Sequence, residues 1–316
     1  MKGMILAAGL GTRLRPITHT LPKPMVPLCN RPLIAWAVES FLAAGVRDLI
    51  VNLHYLPEPI ERHLREQYAG KADFHFSFEQ EILGTGGAIR RVRPQLEKEE
   101  AFFLVNGDTV QFPRWDALRG ALGNHLAALT LRYPPANDRF TPVFLDNGRV
   151  TGFGKGDGEA LMFAGSHLIS TRIFRYLPDE DEFGIVDRVY QPLLDAATES
   201  LAGIVDRGLW FDIGTLQRYV GASREFLAAM VRGELPPTDG SHLEGHSLVH
   251  DSARGPATRS IVGARSIIEG AASDSIVWDD CTIAGTIDRC IVTHGTRVEG
   301  NHTDALITPE GITPLA

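Results

Sequence analysis

Over the first 232 residues, short apolar runs alternate with longer amphipathic stretches. The runs at 4–8, 48–53 (DLIVNL) and 101–105 (AFFLV) have strand length, and the last is apolar throughout. Between them, 32–44 (PLIAWAVESFLAA) and 57–68 are patterned as helices, the second with Ile60 and Leu64 on one face. Strands that alternate with helices imply parallel pairing, because each crossover helix covers a sheet face. The pattern predicts an α/β fold with a doubly wound, mostly parallel sheet. Further on it is less regular: strands are expected at 126–132, 161–169 and 201–205, helices at 186–197 and 215–231, with room for antiparallel additions.

After Gly233 the pattern changes. The stretch ELPPTDGSH reads as a linker from its proline, glycine and polar content. Beyond it, aliphatic residues recur every six to nine positions, through Ile261, Ile267, Ile276, Ile283, Ile291 and Val298. That spacing predicts a short solenoid of hexapeptide-like repeats, each strand forming one side of a coil stacked on the next. The alternative is a small irregular β-domain. The expected organisation is a domain over 1–232, a linker over 233–241 and a repeat tail over 242–316.

The 316 residues, 44% hydrophobic and 22% charged, suit a soluble globular chain. A net charge of −8 argues against a nucleic-acid binder or an anionic-membrane binder. No run approaches a membrane span, and the opening MKGMILAAG is too short in its apolar part for a signal peptide. Cys29, Cys281 and Cys290 are odd in number and far apart, which suits a reducing compartment. A cytoplasmic protein is expected.

The candidate chemistry begins where the first strand ends, in LAAGLGTRLRPITHTLPKP, residues 6–24. Gly9 and Gly11 lack the third glycine of a dinucleotide fingerprint, and no G-x-x-x-x-G-K-[ST] is present. Alone, the two glycines are equally a tight turn. Arg13 and Lys23 change the picture, since Pro22 and Pro24 restrain the lysine, and a restrained cation suits a fixed anion.

The whole stretch L-A-A-G-L-G-T-R-L-R-P…P-K-P resembles the signature of the sugar-phosphate nucleotidylyltransferases. Other landmarks follow in order: LGTGGA at 83–88, VNGD at 105–108, FAG at 163–165 and WFDIGT at 210–215. The resemblance implies a Rossmann-like nucleotidyltransferase domain, and a left-handed β-helix for the tail. It implies that Leu6, Ala7, Ala8, Gly9, Gly11, Thr12, Glu79, Gly84, Thr85, Gly86 and Asn106 meet a nucleoside triphosphate. It places Arg13 and Lys23 in catalysis, Lys155 and Gly165 at the sugar phosphate, and Asp108 and Asp212 on Mg²⁺. The chain departs from the family at Lys155, which lacks the usual preceding glutamate, and at Glu79, where uridylyl and thymidylyl members commonly have glutamine.

The chemistry agrees with this set. Joining a sugar 1-phosphate to the α-phosphorus of a nucleoside triphosphate brings two anions together, so charge neutralisation and positioning carry the catalysis. A carboxylate such as Glu79 can accept from both N1–H and the amino group of guanine. Among the activities that the resemblance allows, Glu79, the LGTGGA loop and the repeat tail favour GTP and mannose 1-phosphate as the expected substrates. A UTP-dependent uridylyltransferase on a related sugar phosphate, or a non-catalytic nucleotide-sugar-binding subunit, are the alternatives. Self-association through the tail is expected. His242, His246 and His250 are spaced by four as helical metal ligands are, but Gly245 lies among them and no carboxylate cluster does.

Overall fold

The computed structural model describes residues 1–135 and 140–315. They form two compact units, one made of Met1–Leu10 and Ile34–Trp210, the other of Gly11–Leu33 and Phe211–Ala316.

The first unit is built on a nine-stranded sheet. Its strands are β1 (Gly3–Leu6), β2 (Asp48–Leu53), β3 (Asp73–Phe78), β4 (Ala101–Asn106), β5 (Ala127–Arg132), β6 (Pro142–Asp146), β7 (Arg149–Phe153), β8 (Glu159–Ser170) and β9 (Leu201–Val205). They lie in the order β3-β2-β1-β4-β8-β5-β9-β7-β6. The first four are parallel neighbours. Leu49 to Leu53 and Ala101 to Val105 are buried, as continuous apolar strands covered on both faces must be. The crossover helix Pro57–Gln67 buries Ile60 and Leu64, the predicted face.

Past β4 the sheet is mixed, with the antiparallel additions for which the sequence leaves room, so the sheet as a whole is not mostly parallel. β8 runs antiparallel to both β4 and β5, and only β5 and β9 add another parallel pair. β6 and β7 form a hairpin whose turn residues Asn147 and Gly148 both have positive φ. Asn-Gly is the pair that a two-residue hairpin loop of matching twist favours.

In the second unit, the tail is a stack of short parallel strands. From Ala257 on they pair at intervals of fifteen residues: Ile261 with Ile276 and then Ile291, Ile268 with Ile283 and then Val298, Ala272 with Ile287 and then His302. These repeated strands are consistent with a β-helix, but the rung is fifteen residues and not a multiple of six. Val262, Val277, Val292, Ile283, Ile287 and Val298 pack into its core with Cys281 and Cys290. All three cysteines are free and buried. Antiparallel strands flank the largest sheet at both edges, Ser241–Glu244 at one and Gly311–Pro314 at the other.

The second unit joins residues from both ends of the chain. Residues 11–33 and 211–232 go with the tail because hydrogen bonds fasten them to it and to each other. Trp278 Nε1 donates to Tyr219 Oη (2.9 Å), which donates to the Pro27 carbonyl (2.7 Å). Asn30 Nδ2 donates to the Val262 carbonyl (3.0 Å) and Ser241 Oγ (3.2 Å).

Candidate active site

In the first unit, predicted residues gather where β1, β2 and β4 end, the edge at which open α/β sheets bind ligands. Leu6 lies in register with Asn52 on one side and Asn106 on the other. The Ala7 N–H leaves the ladder and donates to Asn52 Oδ1 (2.8 Å), while the Gly107 N–H donates to the Leu6 carbonyl (2.8 Å). Asn52 Nδ2 in turn donates to Glu79 Oε1 (2.7 Å), and the Leu83 N–H donates to Glu79 Oε2 (3.1 Å). Glu79 is 5% exposed. It thus fastens the strand end to the glycine loop, and each of its oxygens retains a further lone pair for a ligand.

The glycine loop opens the helix Gly84–Arg91. The Gly86 N–H donates to the Phe183 carbonyl (2.9 Å), and the Phe183 N–H donates to the Leu83 carbonyl (3.0 Å). A Cβ at Gly86 would stand 2.2 Å from the Phe183 ring. Arg90 holds the same approaching loop through Asp179 (2.6 Å) and Asp181 (2.7 Å). Close packing of that loop therefore accounts for the need for glycine at 86. Gly9 is exposed, and a Cβ there would meet open space.

Gly165 has φ +88°, and a Cβ on it would stand 2.7 Å from Asn106 Nδ2. Asn106 and Gly165 are thus interlocked, with Asp108 two residues beyond, half-buried. Trp210 Nε1 donates to the Ala164 carbonyl (2.9 Å) and so supports the same segment. Lys155 lies apart, on an exposed turn after β7. Nearby His167 is buried, its Nδ1 3.0 Å from Tyr190 Oη, and burial lowers its pKa to about 3. It is neutral at working pH.

In the second unit the structure brings Arg13, Lys23 and Asp212 together. Gly11 has φ +63°, its carbonyl accepts from the Leu14 N–H (3.0 Å) and Thr18 Oγ1 (2.8 Å), and a Cβ on it would lie 2.9 Å from Lys23 Cβ. Only glycine allows the lysine stem so near. Lys23 opens a single 3₁₀ turn and is 6% exposed, so it is a buried cation and not a surface one. Its Nζ is 4.0 Å from Asp212 Oδ1. Asp212 Oδ2 accepts from Arg218 Nη1, and the Arg218 N–H is capped by Thr215 Oγ1 (3.3 Å). A Cβ on Gly214 would stand 3.1 Å from both Arg13 Nη1 and Asp212 Oδ2, which places the Arg13 guanidinium beside that carboxylate. A lysine and two arginines thus surround this one carboxylate, a cationic setting of the kind that suits a polyphosphate.

Neither Asn52 nor Arg218 stands out in the sequence. Asn52 is the polar exception in DLIVNL, the one available signal, whereas Arg218 is an ordinary helix residue. Among the described residues, no three His, Cys, Asp or Glu side chains gather as a metal site. A cation held here would have to draw ligands from substrate phosphates as well as carboxylates, which suits hard, oxygen-seeking Mg²⁺. The spaced histidines form no such site: His242 and His250 lie on antiparallel strands, and their Nδ1 atoms face Asp251 (2.9 Å) and Ser252 (2.9 Å).

Residues 2–129 match the model of the nucleotidyl transferase family. A mannose-1-phosphate guanyltransferase of Hypocrea jecorina is 29% identical over 281 residues, covering 80% of this chain and 73% of that protein. The mannose-1-phosphate guanylyltransferase of Mycobacterium tuberculosis is 27% identical over 302 residues, covering 94% and 80%. Alignments at 43% identity are confined to 114–161 residues, under half of each relative's length. HddC from Yersinia pseudotuberculosis, in its crystal structure complexed with GMP-PN, shares the fold. Its TM-score is 0.60 at 23% identity, over 71% of this chain and 99% of that one. Together these matches support a sugar-1-phosphate nucleotidyltransferase.

Proposed function

We propose that the protein joins GTP and mannose 1-phosphate to give GDP-mannose and pyrophosphate. The observation that supports this most is the buried Lys23, held with Arg13 and Arg218 around Asp212. In the reaction a phosphate oxygen of mannose 1-phosphate forms a bond to the α-phosphorus of GTP, and the bond to the β-phosphate oxygen breaks. The nucleophile is already ionised, so the protein needs no general base. Arg13 and Lys23 hold the triphosphate and neutralise the departing pyrophosphate. Leu6, Ala7, Ala8, Gly9, Gly11, Thr12 and Asn106 line the nucleotide with their backbone and side-chain polar groups. Glu79, Gly84, Thr85 and Gly86 face the base, and Gly165 and Lys155 the sugar phosphate. Asp108 and Asp212 hold Mg²⁺, which when bound offsets negative charge on the phosphates.

The choice of GTP and mannose 1-phosphate draws on the names of the aligned relatives and on the free acceptor capacity of Glu79. The transferase domain spans 1–232 and the tail forms a left-handed β-helix. The tail self-associates through exposed apolar positions such as Ile267 (45% exposed) and Ile312 (53%). We place the protein in the cytoplasm, acting on small molecules and on neither nucleic acid nor membrane; among the described residues no helix is long and apolar enough to cross a membrane. The test is pyrophosphate release across four nucleoside triphosphates and a panel of sugar 1-phosphates. Preference for UTP would favour the uridylyl alternative, and no turnover with any pair would favour a regulatory subunit.

A further inference from the structure

Three buried polar side chains connect the turn that carries Asp108 to the segment that carries Gly165. Ser166 Oγ donates to Gln111 Oε1 (2.9 Å), Gln111 Nε2 donates to Thr109 Oγ1 (3.1 Å), and Thr109 Oγ1 donates to the Asn106 carbonyl (3.3 Å). All three residues are buried. Burying three polar side chains is costly unless each finds a partner, and apolar residues of similar volume would fill this space without that cost. Here every link runs donor to acceptor in one direction, so the relay is satisfied along its length.

The relay ends at an irregularity in the sheet. Phe163 of β8 lies opposite Leu131 of β5, and His167 lies opposite Leu129, so residues 164–166 bulge against a single residue. Bulges re-aim side chains beside functional sites. This one is pinned at both ends, by Trp210 at the Ala164 carbonyl and by Gln111 at Ser166 Oγ. Between the pins sits Gly165, against the Asn106 amide. The Asn106 main chain and side chain are therefore both tied to the bulge.

We propose that Gln111 is a positioning residue that couples the two substrate subsites. It links the Asn106–Asp108 turn to the Gly165 bulge, so that a nucleotide ordering the turn also orders the bulge for the sugar 1-phosphate. This rests on the proposed function, which puts Asn106 at the nucleotide and Gly165 at the sugar phosphate. Ordering shared by two sites gives positive cooperativity, because the second ligand meets a segment already held.

The experiment is a coupling cycle by titration calorimetry on the full chain. Mannose 1-phosphate is bound alone and with saturating α,β-methylene GTP and Mg²⁺. In the natural protein the nucleotide should tighten sugar-phosphate binding by about tenfold, and reciprocity requires the same factor in the other direction. Ser166→Ala removes one hydroxyl, and Gln111→Met keeps the volume but removes both central bonds. In each, the coupling factor should fall to about two or less, while either ligand alone binds within about twofold of the natural affinity. A general packing defect would weaken the binary affinities too. Undiminished coupling in either folded variant, or no coupling in the natural protein, would overturn the proposal. If the natural protein binds neither ligand, the choice of substrates is what fails, and the cycle is run with the pair that the turnover panel identifies.

Discussion

Lys23 Nζ faces Asp212 Oδ1 across 4.0 Å, the outer limit of an ion pair, with the lysine almost wholly buried. A restrained ammonium beside a carboxylate is a fixed point charge, the kind of group that suits a phosphate. Because the stem is packed, truncation to alanine would mix lost packing with lost charge. Lys23→Met retains the stem and removes the charge. It should lower kcat by about 10²–10³-fold, while thermal unfolding moves by no more than a few degrees. Full turnover in a folded Lys23→Met protein would remove the residue from the mechanism.

A shared metal predicts non-additive losses. Asp108 and Asp212 come from different parts of the sequence, and as ligands of one ion either should be needed for its binding. Asp108→Asn or Asp212→Asn should each abolish most activity, and the double variant should be little worse than either alone. EDTA should abolish turnover, and added Mg²⁺ should restore it. Multiplicative losses in that cycle, or full activity in EDTA, would separate the two carboxylates.

Much of this was legible from the chain alone. The strand at 48–53 and the helix Pro57–Gln67 follow from apolar length and from the spacing of Ile60 and Leu64. The hairpin at Asp146–Arg149 carries its own Asn-Gly signal, but the prediction passed over it, as it did the aromatic alternation of Asp73–Phe78. What periodicity does not encode is which strand lies beside which, so it leaves room for antiparallel strands in the second half without placing them. In the tail the aliphatic pairs were visible. The fifteen-residue rung was not, because its corners are set by Arg and Asp residues with positive φ, such as Arg265 and Asp280, which no hydrophobic pattern marks. At the site, Arg13, Lys23 and Asp212 sit in long motifs. Asn52, Gln111 and Arg218 act through partners far along the chain or through one bond each, and no motif records them.

Tyr219 binds three segments of the second unit in one relay, accepting from Trp278 Nε1 and donating to the Pro27 carbonyl. Burial raises its phenol pKa well beyond the working range, so it stays a neutral donor. Tyr219→Phe keeps the ring but leaves the indole N–H and that carbonyl without this partner. The loss should be about 1–3 kcal/mol by urea unfolding, more than the typical surface substitution. An unchanged midpoint would mean that water replaces the hydroxyl.

The tail should weaken in acid because of a ladder of ion pairs along its corners. Arg259 binds Asp274 (2.8 and 2.5 Å), Arg265 binds Asp280 (2.6 and 2.6 Å) and Arg289 binds Asp304 (2.7 and 2.8 Å), each pair one rung apart. Hydrogen bonds from these arginines hold all three carboxyls below their usual range. A depressed folded pKa means that the unfolded chain binds more protons near the ordinary aspartate value of about 3.9. The contribution is therefore complete above about pH 5 and is lost as pH falls through that value towards the folded one. All the pairs are largely solvent-facing, so each contributes little, and added salt should diminish it. The three aspartates have φ of +47°, +60° and +51°, a region that asparagine tolerates well. Asp274→Asn, Asp280→Asn and Asp304→Asn can thus be combined to remove charge without straining the backbone. The triple variant should unfold slightly earlier than the natural protein at pH 7 and lose slightly less further stability between pH 5 and pH 3. Thermal unfolding at a series of pH values reads this directly, and an identical acid slope in both proteins would assign the sensitivity to other carboxylates.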